Sequence, residues 1–135
     1  MQKTIAIVSL LAISTAALAD IKATPVHIGA GELCVVENAA VQQNFTDLML
    51  RSLAVRGHTP RMVQATKDCP VTMTFDARYA MSGGYRRVLK TSSFRVFRDG
   101  EMIGSVTFRF SHMPGSNGSV EDVIQRMVDQ LFGAG

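Results

Sequence analysis

A stretch of strict alternation from Val71 to Tyr79 constrains the fold more than any other part of the sequence. Apolar side chains occupy the odd-numbered positions of this stretch and polar side chains the even-numbered ones. Because successive side chains of a strand point to opposite faces, the pattern predicts a β-strand with one dry face and one wet face. Such a strand belongs to a sheet that is covered on one side only.

Two further strands follow, and a turn-forming dipeptide joins them. Val88 to Arg98 and Met102 to Phe110 flank Asp99-Gly100, which is favoured in type I′ turns because both central residues need a positive φ. The preceding stretch, Ala80 to Arg86, contains Gly83-Gly84 and is predicted to be a mobile connection. The sequence therefore predicts a β-hairpin after the alternating strand.

Two amphipathic helices are predicted, one before these strands in the sequence and one after them. Asn38 is a favourable N-cap, and helical spacing of apolar residues continues as far as Gly57, which predicts a first helix over about residues 39–56. Ser119 and Asp122 form a variant capping box that opens the last helix. The apolar stripe of this helix consists of Val120, Val123, Ile124, Met127, Val128 and Leu131, extended by Phe132.

The remaining segments complete a single small domain. Leu33 to Val36 is predicted to be a buried strand, and Thr59 to Gln64 a weaker one, for which Pro60 favours an edge position or a late start. Residues 20–31 are predicted to be an irregular lead-in. The resulting order, β-α-β-β-β-β-α, predicts an α+β domain with a core over about residues 32–132. Its two helices pack on one face of a mainly antiparallel sheet.

The first nineteen residues have the features of a secretory signal peptide. Lys3 precedes an apolar run from Ile5 to Ile13, and Ala17-Leu18-Ala19 places small residues directly before Asp20. The apolar run is about half of the roughly 20 residues that a membrane-spanning helix requires. We therefore expect cleavage after residue 19, a periplasmic domain of residues 20–135, and no transmembrane segment in the product.

Export determines how the two cysteines are interpreted. Cys34 and Cys69 are predicted to form a disulfide, because an oxidising compartment favours one and no Cys-x-x-Cys motif is present. A redox pair or a metal-binding pair is the alternative. In the chain-entropy model, closing a loop of this length contributes on the order of 4 kcal/mol to stability.

No catalytic, metal or cofactor motif accompanies these elements, and we expect neither a cofactor nor a metal. The three histidines, His27, His58 and His112, lie in predicted loops or strand edges without a nucleophile motif nearby, and we expect them to be exposed. The full chain has a formal net charge of +3 with its charges scattered, so nucleic acid is not an expected partner.

The candidate partner-binding residues come from two places. Glu37 and Asn38 lie at the predicted turn from the first strand to the first helix. Tyr85, Arg87 and Arg95 lie in or near the strand after the glycine-rich connection, where basic residues are frequent. Strand alternation predicts Arg87 and Arg95 on the same face if no bulge intervenes. Two interpretations of these basic residues remain open. They are solvated charges that protect the sheet edges from pairing, or they form a surface for an anionic partner.

Several segments in order resemble a family of small bacterial envelope lipoproteins of unassigned function. The segments are Cys34-Val35-Val36-Glu37-Asn38, the helix with Val41 and Phe45, Arg56-Gly57, Cys69-Pro70 with Thr72, Phe94 to Gly100, and Val128 to Phe132. This chain differs from that family in having Asp20, not a lipid-bearing Cys, after its signal, and in having Gly83-Gly84 where the family has aromatic residues. The resemblance implies an envelope location.

These observations favour a protein that acts by binding and not by catalysis. The leading prediction is a soluble periplasmic protein that binds another envelope or periplasmic protein. The exposed strand from Thr59 to Gln64 is the candidate for strand addition. The alternatives are an immunity or inhibitor protein and, from a different class, a small periplasmic hydrolase that pairs Glu37 with one of the histidines.

Overall fold

The computed structural model of the chain describes residues 21–29, 31–82, 86–110 and 119–133. The predicted signal peptide lies outside the described residues, as do His112 and Tyr85. The strands are β1 (Ile21–Thr24), β2 (Gly31–Val36), β3 (His58–Val63), β4 (Val71–Ser82), β5 (Arg86–Arg98) and β6 (Glu101–Arg109). The helices are α1 (Gln43–Val55) and α2 (Val120–Leu131), and a short 3-10 turn spans Thr66–Asp68.

Six strands form one open sheet in the order β1-β6-β5-β4-β2-β3. The β1–β6, β6–β5 and β5–β4 pairs are antiparallel, whereas β2 pairs in parallel with both β3 and β4. The predicted fold class is confirmed: an α+β domain with two helices and a mainly antiparallel sheet. Pro60 correctly indicated an edge strand, because β3 ends the sheet.

The core lies between the sheet and the two helices. Both helices direct their apolar stripes to the same face of the sheet, which we call the helix face, and they pack against each other there. The largest fully buried side chains here are Leu33 and Val35 from β2, Met73 from β4, Phe94 and Val96 from β5, Val106 from β6, Phe45, Met49 and Leu53 from α1, and Ile124, Met127 and Leu131 from α2. Burial of one such side chain contributes about 1.5–3 kcal/mol to folding.

Local chemistry specifies two of the predicted turns and caps. Asp99 and Gly100 have φ values of 53° and 86°, so the β5–β6 hairpin has the predicted two-residue turn with both residues at positive φ. Ser119 Oγ accepts from the amide of Asp122 at 3.1 Å, and the Asp122 carboxylate accepts from the Ser119 amide. The capping box of α2 is therefore confirmed.

The predicted disulfide is also confirmed. Cys34 and Cys69 are bonded, with their Cα atoms 6.4 Å apart, and the bond joins β2 to the segment just before β4, its neighbour in the sheet. Cys34 lies on the face of the sheet opposite the helices, which we call the open face. The bond therefore anchors the start of β4 to β2 on the side of the sheet opposite the two described helices.

The N-terminal segment differs from its predicted irregular conformation. Ile21–Thr24 forms β1, and the buried Ile21 pairs with Phe108 of β6. After β1 the chain packs closely over Gly104, where an added Cβ would lie 2.7 Å from the Cβ of Val26. Four residues carry too little pattern to predict a strand, and β6 supplies the pairing that stabilises this one.

Candidate functional site

A cleft opens where β2 and β3 end and α1 begins. Its volume is about 420 Å³, and its lining includes the apolar side chains of Met62, Leu50 and Phe75 together with the polar Glu37 and Asn38. Ligands of sheets with parallel strands bind beyond the carboxyl ends of those strands, which is where this cleft lies. We therefore take it as the centre of the candidate site.

Glu37 lies at the mouth of the cleft, just after β2. Its carboxylate oxygen Oε1 accepts a hydrogen bond from Gln64 Nε2 at 2.8 Å, and its amide donates to the carbonyl of Val63 at 2.9 Å. Both bonds connect Glu37 to the end of β3. Its side chain is exposed, so the carboxylate is accessible to a partner from solvent.

Asn38 has a different role from the predicted N-cap. Its Oδ1 accepts from the amide of Ala40 at 3.0 Å, which forms a local turn, and its Nδ2 donates to the carbonyl of Phe75 at 2.9 Å. The N-cap of α1 is Gln42, so the helix begins four residues later than predicted. Asn38 therefore fixes the β2–α1 turn to β4 and shapes the floor of the cleft.

Arg87, near the start of β5, contacts the residue that caps the start of α1. The Gln42 amide, oriented with its oxygen toward Arg87, accepts from both guanidinium NH groups at 2.5 Å. The guanidinium carbon also lies 5.5 Å from the centre of the Tyr79 ring. Burial raises the pKa of Tyr79, and Arg87 opposes this shift. Arg87 thus belongs to the helix face, beside the cleft.

The expectation that Arg87 and Arg95 share a face is wrong, because a β-bulge separates them. Arg78 pairs with Thr91, whereas Tyr79 pairs with Leu89, so Lys90 is an extra residue in β5. One extra residue reverses the faces of all residues before it. Arg95 therefore lies on the open face, where its guanidinium donates to Ser93 Oγ at 3.2 Å.

The outer edge of β3 borders the cleft. The carbonyl of Gly57 accepts from the amide of Gly31, and the carbonyl of Val63 accepts from the amide of Glu37. Odd-numbered residues of β3 therefore direct their backbone groups toward β2. Backbone groups alternate along a strand, and those of His58, Pro60 and Met62 therefore point outward. Pro60, which has no N–H, occupies an outward position where a proline is tolerated. Within the described residues, no strand pairs with this edge.

His58 is not the exposed residue that was predicted. It is buried at the start of β3 with its ring centroid 4.6 Å from that of Phe132, and its Nδ1 has no hydrogen-bond partner in the described part of the chain. Burial, with a smaller contribution from Arg56, lowers the pKa of His58. His58 and Glu37 lie at opposite ends of the β2–β3 pair, roughly 20 Å apart along the strands.

Two further features bear on the kind of site. Across residues 21–29, 31–82, 86–110 and 119–133, no group of three His, Cys, Asp or Glu side chains is arranged to hold a metal ion. Neither helix in this part of the chain is both long and apolar enough to cross a membrane.

The fold thus defines a single α+β domain in which two helices cover one face of a six-stranded sheet. Within this class the chain is similar to the PelC dodecamer from Paraburkholderia phytofirmans, with a TM-score of 0.61 and 13% sequence identity over 82% of this chain and 97% of that chain. A variant of PelC in another crystal form gives a TM-score of 0.51 and 14% identity over 80% and 92%. At these identities the similarity concerns the fold alone. Neither a family model nor a curated protein sequence matches the chain.

Proposed function

We propose that the chain is a periplasmic protein without enzymatic activity that binds another envelope protein along the outer edge of β3. The observation that carries this proposal is the outer edge of β3, which no strand of the described residues pairs with and which lies directly beside the cleft. The disulfide supports a compartment outside the cytoplasm, since disulfides persist in oxidising environments. The resemblance to small envelope lipoproteins supports the same location.

Strand addition explains how the edge of β3 and the cleft act together. The outward amide of Met62 and the outward carbonyls of Pro60 and Met62 offer main-chain hydrogen bonds to an extended segment of a partner. In this mode of recognition main-chain bonds supply affinity, and pockets for alternate side chains supply specificity. The cleft is such a pocket, with an apolar wall of Leu50 and Phe75 and the carboxylate of Glu37 at its mouth.

Other features fit a partner that enters from this side. Met62 is 38% exposed as a residue and lines the cleft, so its side chain offers flexible apolar surface at the centre of the proposed contact. The structural relative PelC is a dodecamer, so a fold of this kind can support contacts between chains.

Two substitutions at one position test the proposal. Met62→Ala removes the side chain that lines the cleft, whereas Met62→Pro also removes the outward amide, without affecting the bonds that β3 makes to β2. Tagged wild-type protein and both variants are used to capture partners from periplasmic extract at several salt concentrations. We expect a specific partner to be retained by the wild type, weakened in Met62→Ala and lost in Met62→Pro.

A substitution far from the edge provides the control. Val55→Ala changes the exposed end of α1 and should leave capture unchanged. The unfolding midpoint of each variant shows that it is folded. If the wild type retains no protein above background, or if folded Met62→Pro retains as much as Met62→Ala, the proposed strand addition is contradicted.

A further inference from the structure

The open face carries a regular array of basic and hydroxyl side chains on the four strands farthest from β3. Strand pairing aligns these side chains in rows that cross the sheet from β1 to β4. The first row is Thr24, Ser105, Arg95 and Thr74; the second is Lys22, Thr107, Ser93 and Asp76; the third is Arg109, Thr91 and Arg78. We call these three rows the cationic array.

Positive charge exceeds negative charge in the array. Lys22, Arg95 and Arg109 are exposed, and none of them lies within ion-pair distance of a carboxylate of the described residues. The fourth cation, Arg78, pairs with Asp76 at 3.7 Å. The array therefore has an excess of three positive charges over hydroxyl groups that can also donate hydrogen bonds.

The opposite side of the domain has no such excess. The two helices carry four carboxylates, Asp47, Glu121, Asp122 and Asp129, against the three guanidinium groups of Arg51, Arg126 and the helix-ending Arg56. Four of these side chains are paired across the helices: Arg56 contacts Asp129 at 2.7 Å, and Arg51 contacts Glu121 at 3.9 Å. Positive charge is therefore concentrated on the open face. A negatively charged surface would attract the domain with the cationic array facing it.

The shape of the array restricts what it can bind. Its four cations lie on four different strands, so an extended polymer that follows a single line would not reach all of them. Its three rows contain no apolar or aromatic side chain, and the apolar pair on this face, Phe97 and Met102, lies beyond the first row at the hairpin end of the sheet. The centre of a protein interface, by contrast, is enriched in such anchors. A planar, charged and hydrated surface meets both conditions.

We propose that the cationic array docks the domain on the surface of a membrane that contains anionic lipids. Basic side chains near an anionic bilayer each add about fivefold to affinity. Three uncompensated cations thus give weak, reversible association that salt screens within about 10 Å at 0.1 M. The edge of β3 lies at the other end of the sheet and remains free in this orientation.

Vesicle sedimentation tests the proposal with charge reversals matched in size. Protein purified after expression of the full-length chain is mixed with vesicles of phosphatidylcholine alone and with vesicles containing phosphatidylglycerol. The compared variants are Arg95→Glu in the array and Arg51→Glu on α1, whose side chain is 65% exposed on the opposite side. Each changes the net charge equally, and each is checked for an unchanged unfolding midpoint.

We expect salt-sensitive binding only to vesicles with phosphatidylglycerol. Arg95→Glu should weaken this binding about tenfold or more, and adding Lys22→Glu should weaken it further, while Arg51→Glu should change it less than twofold. Equal losses in Arg95→Glu and Arg51→Glu, or binding that does not depend on phosphatidylglycerol, would overturn the proposal. Tighter binding to soluble poly-glutamate than to vesicles at equal negative charge would also overturn it and would indicate an acidic protein partner.

Discussion

The two faces of the sheet are made from alternate residues of the same strands, yet they differ in how they contribute to the protein. The helix face buries apolar side chains such as Phe94 and Met73 completely under α1 and α2. The open face exposes arginines and hydroxyl groups, and its main stabilising feature is one disulfide. Packing therefore holds the domain together from one side, which leaves the other side available for charge.

The difference should appear most strongly in two phenylalanines of β5. Phe94 is fully buried on the helix face against Phe45, whereas Phe97 is only partly buried on the open face beside Met102. We expect Phe94→Ala to lower the free energy of unfolding by about 3–5 kcal/mol, because it leaves a cavity. Phe97→Ala should cost less than half as much. Equal losses in denaturant titrations would mean that the two faces contribute alike.

The disulfide should be the largest single contribution from the open face. Replacing Cys34 and Cys69 together by alanine should lower the free energy of unfolding by about 2–4 kcal/mol and the thermal midpoint by roughly 10–20 °C. Reduction of the wild type should have the same effect. Protein isolated from the periplasm should show no free thiol even in denaturant, and two titratable thiols there would falsify the bridge.

His58, buried at the start of β3, should make the stability of the domain depend on pH. Burial favours the neutral form of His58, so below about pH 6.5 the unfolded chain binds a proton that the folded chain resists. The free energy of unfolding should thus be constant above that pH and fall as the pH decreases through it toward the lowered pKa. His58→Phe should remove this dependence, which denaturant titrations at a series of pH values below about 6.5 would show.

The smallest effect on stability is expected for the cations of the open face. Arg95 makes one hydrogen bond, to Ser93, and its side chain is exposed. Arg95→Ala should therefore change the free energy of unfolding by no more than about 0.5 kcal/mol. A loss above 1 kcal/mol in a denaturant titration would show that the cationic array is part of the structural framework and not a surface for contact.

Most of the fold could be predicted because its signals are local. The alternation in β4, Asp99-Gly100 in the hairpin, Pro60 at the edge and the Ser119 cap each specify an element through nearby residues. The predictions were wrong where a contact with residues far away in the sequence determines the local structure. Strand β1 exists because β6 pairs with it, and the start of α1 shifted because Asn38 bonds to the carbonyl of Phe75 on another strand.

The candidate site was less predictable for the same reason. Glu37 and Asn38 were identified from their position at a strand-to-helix turn, and the structure brings them together in the cleft. The bulge at Lys90 could not be predicted, since a single extra residue leaves no distinctive pattern in a strand with mixed charges. Without the bulge, strand alternation would place Arg87 and Arg95 on the same face; with it, they lie on opposite faces.

Residue-resolved amide hydrogen exchange tests the proposed contact at β3 most directly. In the free protein we predict slow exchange at Thr59 and Arg61, whose amides point toward β2, and fast exchange at Met62, whose amide points outward. Addition of the captured partner should slow exchange at Met62 and leave Thr59 and Arg61 as they were. A partner that binds while exchange at Met62 stays fast, with protection appearing elsewhere, would contradict the proposal.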